Sequence, residues 1–586
     1  MKAIALALAA LCCTSLPLHA QDNRAPEIAT GWQEKAGWSA HKFMVAAANP
    51  LATEAGYQML KQGGSAVDAA IATQLVLTLV EPQSSGIGGG AFMMHWDGKK
   101  VRSFDGRETA PAVATESLFQ DANGKPLPRA DGVVGGRSVG APGVLRMLEL
   151  AHKEYGKLAW AKLFAPAIKL AEEGFAVSPR LNALLTSERY LQRDPVAAAY
   201  FFDKDKKPWP VGHVLKNPAL AKTLREIAAE GADAFYRGRI ARDIAAKVQG
   251  HPTNPGGLTA ADIAGYQARE REPLCADYRA YKVCGMPPPS SGGVAIAQIL
   301  GILENSKIGD YAPVDGVISA DAIHLMTEAE RLAYADRNRY VADTDFVPLP
   351  GKGASGLLDK SYLRQRATLI GDKSMGRARA GVPAEVKVAW GDDTALDKPS
   401  TSHLVVVDGF GNGISMTTSV EDAFGSRQMV DGFLLNNQLT DFSWDSVDEN
   451  GPIANRVQPG KRPRSSMAPT LVFDKQTGKL VLAAGSPGGS TIINYVAKVL
   501  VGTLDWKLNV QQAISLPNFG SRNGPTELEA GKFSSDVVDQ LKARGHEVRQ
   551  NEQNSGLQGL QRMQKDGRAV WFGGADPRRE GIVKGD

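Results

Sequence analysis

The chain has 586 residues, 43% apolar and 22% charged, which suits a large folded core and excludes a mainly disordered, collagen-like or coiled-coil protein. Its 67 basic and 63 acidic side chains leave a net charge of +4, too flat for a dedicated nucleic-acid binder with a concentrated basic surface.

The first elements in chain order are those of an export signal over residues 1–20. Lys2 is a one-charge n-region, Ala3 to Leu16 is uncharged and mostly apolar, and Leu18-His19-Ala20 offers a small residue before polar Gln21-Asp22. A membrane anchor is the alternative, but the run falls short of the roughly 20 residues needed to span. Cys12 and Cys13 sit in an imperfect lipobox context. No later uncharged run is long enough to span, so a periplasmic or secreted protein is expected, free of the membrane once the signal is cleaved.

Periodicity predicts a helix over Leu51 to Gln62, stopped by Gly63-Gly64, and a buried helix capped by Ser65 and running to Val80. After the loop Ser84 to Gly90, Ala91 to Trp96 and Lys100 to Phe104 form a hairpin around Asp97-Gly98. Gly143 to Tyr155, Trp160 to Glu173, Ala219 to Glu230, Val294 to Glu304 and Ala320 to Tyr340 are helical by period, and Thr259 to Asp262 resembles a capping box. Cys275 and Cys284 are equidistant from a turn near Arg279; they either face each other across a hairpin as a disulfide or remain separate buried thiols. The pair lacks the spacing of a zinc site, and no metal or cofactor is expected. Beyond the polar segment Gly391 to Pro399, strands are predicted at Thr401 to Val407, Gly413 to Ser419, Thr470 to Phe473 and Lys479 to Ala483, and helices at Ile492 to Leu504 and Ser534 to Arg544. Helices, then strands, then helices suit a layered α+β fold with sheets inside.

Gly86 to Gly90 is not a phosphate loop, because it follows a helix and precedes a strand, the reverse of a dinucleotide fingerprint; tight backbone packing is the simpler reading. GxSxG and HExxH are absent. Pro399-Ser400-Thr401-Ser402-His403 places a hydroxyl residue at the start of a strand. Threonine is a weak nucleophile without a base. Cutting the Ser400–Thr401 bond would give Thr401 a free α-amine of ordinary pKa ~7.7–8.0, a base on the same residue. Gly485 to Ser490 lies between strand and helix, where Gly488 and Gly489 can present N–H groups to an oxyanion. Arg464 to Pro469 offers hydroxyls, and Asn436 to Phe442 offers amides and a carboxylate.

These segments, together with Asp105 to Pro111, Pro166 to Gly174, Pro287 to Gly293 and Leu332 to Arg337, resemble the γ-glutamyltranspeptidase family of N-terminal-nucleophile hydrolases over nearly the whole mature chain. The resemblance implies a four-layer αββα sandwich made as one compact unit from two autoprocessed chains. A large subunit of residues 21–400 and a small subunit of residues 401–586 would stay together as a heterodimer. It implies Ser400–Thr401 as the cleavage site, Thr401 as nucleophile, Ser419 as its hydroxyl partner, and Gly488 and Gly489 as the oxyanion hole. Arg107, Ser465 and Ser466 would hold the donor's α-carboxylate; Gln438 and Asp441 would receive its α-ammonium. The implied activity is transfer of the γ-glutamyl group of glutathione or a similar donor to water, an amino acid or a peptide. Same-fold relatives that deacylate glutaryl-cephalosporins are the alternative, and a non-catalytic periplasmic amino-acid-binding protein is the rival from another class. Two departures stand out. The family's asparagine two residues past Ser419 is Glu421, expected to join Asp441 in pairing with the ammonium, and the segment Ser443 to Gly460 is shorter than the loop that lids the site in some members.

Overall fold

The computed structural model describes residues 31–384, 386, 389–393, 395 and 400–586; the expected signal segment and parts of the polar stretch before Thr401 lie outside them. The protein is a mixed α/β fold built on two seven-stranded antiparallel sheets. In the first, strands run in the order Ile582–Gly585, Met44–Ala47, Thr401–Val407, Gly413–Ser419, Gly90–Trp96, Val101–Gly106 and Arg269–Arg271. The central pair is in register from Thr401↔Ser419 to Val407↔Gly413. Its outer neighbours, Met44–Ala47 and Gly90–Trp96, both precede it by hundreds of residues.

The two faces of that pair sort by parity, as alternating strand side chains must. Leu404, Val406, Ile414 and Met416 share a core with the helices Pro50–Lys61 and Ala66–Val80. Val405 and Val407 share a core with Leu471, Leu482 and Ala483 of the second sheet. That sheet orders its strands Trp38–Ala40, Arg568–Ala575, Gln558–Lys565, Leu480–Gly485, Thr470–Asp474, Tyr281–Gly285 and Leu274–Tyr278. The helices Gly292–Leu303, Ile492–Leu504 and Val510–Ser515 belong to this second core.

Local sequence explains several boundaries. The helix Ala66–Val80 opens on a capping box in which Ser65 and Asp68 exchange hydrogen bonds of 3.2 and 2.9 Å. Asp68 is fully buried and also accepts from the Lys157 and Leu158 backbone, so the one acid in that apolar helix ties two helical layers together. Cys275 and Cys284 sit opposite each other in the hairpin and are joined by a disulfide, with Arg279 at φ 51° in the turn. The glycine-rich loop does pack tightly: a Cβ on Gly88 would strike the Leu434 carbonyl and one on Gly89 the Ser419 carbonyl. The absent side chains therefore let this loop press against the end of the strand beside Thr401.

Candidate active site

Thr401 opens its strand in the middle of the first sheet, buried, directly across from Ser419. The Thr401 hydroxyl lies 3.3 Å from the Ser419 hydroxyl, which in turn donates to the Ser400 carbonyl at 2.8 Å. Ser419 also accepts from the Glu421 backbone N–H at 2.9 Å. Ser400 is held by its own hydroxyl, which donates to the Gln83 carbonyl. The bond between Ser400 and Thr401 thus has the hydroxyl of one residue beside it and a second hydroxyl polarising its carbonyl. On the other side, the Thr401 carbonyl accepts from Arg579 at 3.2 Å. Gly488 and Gly489 have φ of 138° and 57°, in the region that favours glycine, and a Cβ on Gly488 would meet the Tyr495 ring, so that position requires glycine. Gly556 packs against both Pro487 of the same loop and Arg579, because a Cβ there would strike both.

The residues expected to recognise an amino-acid end form one buried group. Arg107 follows the strand Val101–Gly106 and is fully buried, with its backbone N–H fixed by Asp105 at 2.8 Å. Its guanidinium donates to Asp441 at 2.5 Å, to the Arg464 carbonyl at 2.9 Å and to the Pro463 carbonyl at 3.1 Å. Asp441 also accepts from Gln438 at 2.8 Å. The other amide atom of Gln438, Oε1, is buried with no hydrogen-bond partner among the described residues, which leaves an acceptor for an incoming donor. Arg107 and Asp441, expected to take the two opposite charges of an amino-acid end, are therefore adjacent and engaged with each other. Ser465 accepts from the Met467 N–H at 3.1 Å, and Ser466 accepts from Arg337 at 2.6 Å.

Two carboxyls beside this group are pushed up. Glu108 lies 4.0 Å from Arg107, and neither of its oxygens has a hydrogen bond among the described residues. Burial raises its pKa to about 8 against the pull of Arg107, so it is neutral at pH 7. Glu421 is raised well above the usual carboxylate range, first by burial and then by the Asp441 and Asp422 charges; Arg129 and the bond from Asn437 only partly offset this. The Asn437 amide donates to Glu421 at 2.5 Å and Arg129 stands 3.7 Å away. Glu421 also has φ 80°, a left-handed conformation that asparagine tolerates better and that strains glutamate by on the order of 1–3 kcal/mol.

The sequence assigns no role to several participants, although Arg337 falls in a segment that carries the resemblance, because their partners are remote in the chain. Arg579 reaches Thr401 across 178 residues. Arg337 bridges Ser291 and Ser466. Arg129 lies over the Trp444 ring, which stacks on Phe119 at 4.8 Å, so segments far apart in the chain meet beside Glu421. A cavity of about 240 Å³ touches Arg337, Ser490 and Asp393, next to the glycine loop and the serines; a larger one of about 920 Å³, lined by Arg137, Lys247 and Arg427, touches none of the expected site residues. His324, Glu328 and His546 cluster closely enough to hold a metal, but each already has hydrogen-bond partners. His324 contacts the Gly371 carbonyl and His546, His546 contacts Thr526, and Glu328 accepts from Arg331, Ser374 and Met375. Burial lowers His546 to about 4, so it packs as a neutral ring in this network.

The family model described as Gamma-glutamyltranspeptidase matches residues 52–585. A glutathione hydrolase proenzyme of Escherichia coli (strain K12) is 38% identical, over 98% of this chain and 97% of its own length. Another, from Bacillus subtilis (strain 168), is 37% identical over 91% of this chain and 89% of its own. The crystal structure of a cephalosporin acylase from Bacillus halodurans superposes with a TM-score of 0.81 at 29% identity, covering 94% of this chain and 97% of that one.

Proposed function

The chain belongs to the gamma-glutamyltranspeptidase family, and from that premise we propose that it is an exported γ-glutamyl hydrolase and transferase that makes its own nucleophile. The observation that carries this is the Ser419 hydroxyl, set between the Thr401 hydroxyl and the Ser400 carbonyl at 3.3 and 2.8 Å. The Thr401 Oγ attacks the Ser400 carbonyl carbon, its proton passes to the departing amide nitrogen, and the C–N bond breaks to leave an ester and a free Thr401 α-amine. Water hydrolyses the ester. The product is a large subunit of residues 21–400 and a small one of 401–586, held together because Thr401–Val407 stays paired with Met44–Ala47. The two sheets, each with helices in its core, support arrangement of the whole as a four-layer αββα sandwich.

In the mature enzyme the α-amine serves as base for its own hydroxyl. Arg107 forks the donor's α-carboxylate, aided by Ser465 and Ser466. The α-ammonium goes to Asp441, the Gln438 Oε1 and Glu421, and its positive charge lowers the Glu421 pKa so that this carboxyl gives its proton to solvent and pairs as a carboxylate. Thr401 attacks the γ-carbonyl, Gly488 and Gly489 take the oxyanion, the amine leaves, and water, an amino acid or a peptide accepts the γ-glutamyl group. The relatives named glutathione hydrolase support glutathione as donor, and their bacterial origin together with the apolar N-terminus supports the periplasm. No helix among the described residues is long and apolar enough to cross a membrane.

The test is a pair of matched amides, γ-glutamyl and glutaryl, which differ only in the amine. The wild type is expected to prefer the γ-glutamyl amide in kcat/KM. Glu421→Gln should lower that value by about tenfold, the equivalent of ~1.4 kcal/mol, and narrow the preference. A higher kcat/KM for the glutaryl amide would overturn the reading and favour the acylase seen in the structural relative.

A further inference from the structure

A buried ion pair that no step above uses connects the donor site to the segment just upstream of the scissile bond. Asp393, eight residues before Thr401, is fully buried. Its Oδ2 forms an ion pair with the Arg464 guanidinium at 2.8 Å and accepts from the Asn455 amide at 2.9 Å, and its Oδ1 accepts from the Ala395 N–H at 2.8 Å. Its backbone N–H donates to the Asn338 carbonyl at 3.1 Å. Arg464 and Asn455 each reach the donor site through the main chain. The Arg464 carbonyl accepts from Arg107 at 2.9 Å, and the Arg464 N–H donates to Asn455 at 2.9 Å. The Asn455 amide donates also to the Asp441 carbonyl at 2.8 Å. One carboxylate therefore fixes the backbone on both sides of the Arg107–Asp441 pair.

We propose that Asp393 is a positioning residue of the donor site, acting through Arg464 and Asn455 to hold Arg107 and Asp441 at the spacing that an amino-acid end requires. The proposal rests on the reading of that pair as the donor's recognition site. Asp393 lies before the cleavage point and both its side-chain partners lie after it, so after cleavage the cluster becomes a contact between the two subunits. The neighbouring chain is docked in the same place: the Gly391 N–H donates to the Pro452 carbonyl at 3.0 Å, the Asp392 N–H to Asp448 at 2.8 Å, and Arg339 to the Asp392 carboxylate at 2.8 Å. Asp393 is not among the described contacts of Thr401, Ser419, Gly488 or Gly489, so its influence falls on binding and not on the chemical step.

The experiment is steady-state kinetics of Asp393→Asn and Asp393→Glu on the processed two-chain fraction, with a γ-glutamyl anilide as donor, beside thermal melts. Asp393→Asn is expected to raise KM by about tenfold with kcat within about threefold of wild type, and Asp393→Glu, which keeps the charge, to fall between. A role in packing alone would reduce the yield of two-chain enzyme and the melting temperature but leave the KM of the processed fraction unchanged, and that result overturns the proposal. If Asp393→Asn yields no processed enzyme, Asp393→Glu decides: a wild-type KM overturns the proposal and a raised one upholds it. A wild type inactive on the γ-glutamyl anilide would sink the functional reading instead, and the same KM comparison on whichever amide it cleaves would still decide the role of Asp393.

Discussion

At the scale of single residues, the site is governed by groups whose charge is set by burial. Glu108 is the clearest case. It is a carboxyl without hydrogen bonds among the described residues, 4.0 Å from the Arg107 guanidinium, which is proposed to bind the donor's carboxylate. Below pH 8 it is neutral and leaves Arg107 to the donor. Above pH 8 it ionises and competes. Its folded pKa is raised, so its contribution to stability is full below the ordinary value near ~4.3 and is lost as pH rises through about 8. We expect donor KM to climb as pH passes about 8, and Glu108→Gln, which stays neutral, to remove the part of that climb due to this carboxyl. Superimposable KM profiles for wild type and Glu108→Gln would exclude the competition. Glu421 shows the same suppression of charge together with a strained backbone, next to Ser419, as expected where function and not stability sets the residue.

At the scale of elements, the strands and turns carry the precision. The hairpin Leu274–Tyr278 and Tyr281–Gly285 needs only a tight turn at Arg279 to bring Cys275 opposite Cys284. The loop it closes is short, so the disulfide is expected to add no more than the typical ~2–4 kcal/mol. Mass measurement without reductant should give a mature large subunit two hydrogens lighter than after reduction; titration of two free thiols would contradict the bridge. The short segment Ser443 to Gly460 folds as the small hairpin Val447–Asp448 and Gly451–Pro452, and it holds the chain at Gly391 and Asp392. It touches the pre-cleavage segment, which gives this reduced loop a definite place beside the site.

At the scale of the whole molecule, the strand that opens at Thr401 belongs to a sheet whose other strands come from both sides of the Ser400–Thr401 bond, so cutting that bond need not disperse the fold. Purified protein is expected as two chains dividing the mature part of the 62.4 kDa precursor about two to one. Thr401→Ala should remain a single chain; a Thr401→Ala protein still cut before residue 401 would eliminate the mechanism. The sequence by itself determined the elements whose signals are local. Period placed Trp160–Glu173, Ala320–Tyr340 and Ile492–Leu504, and apolar-rich runs joined by a turn-rich segment placed Thr401–Val407 and Gly413–Ser419. Motif resemblance singled out Arg107, Gln438 and Asp441, which the fold brings into one buried group. Only the tertiary structure decided what depends on long-range approach. The C-terminal strand Ile582–Gly585 pairs with Met44–Ala47 at the far end of the chain. Arg579 supports Thr401, Arg107 is engaged with Asp441, and Asp393 is tied to Arg464. The reason is physical: a helix period or a turn is written within a dozen residues, whereas a buried charge is stabilised by partners that only the completed fold brings within hydrogen-bond distance.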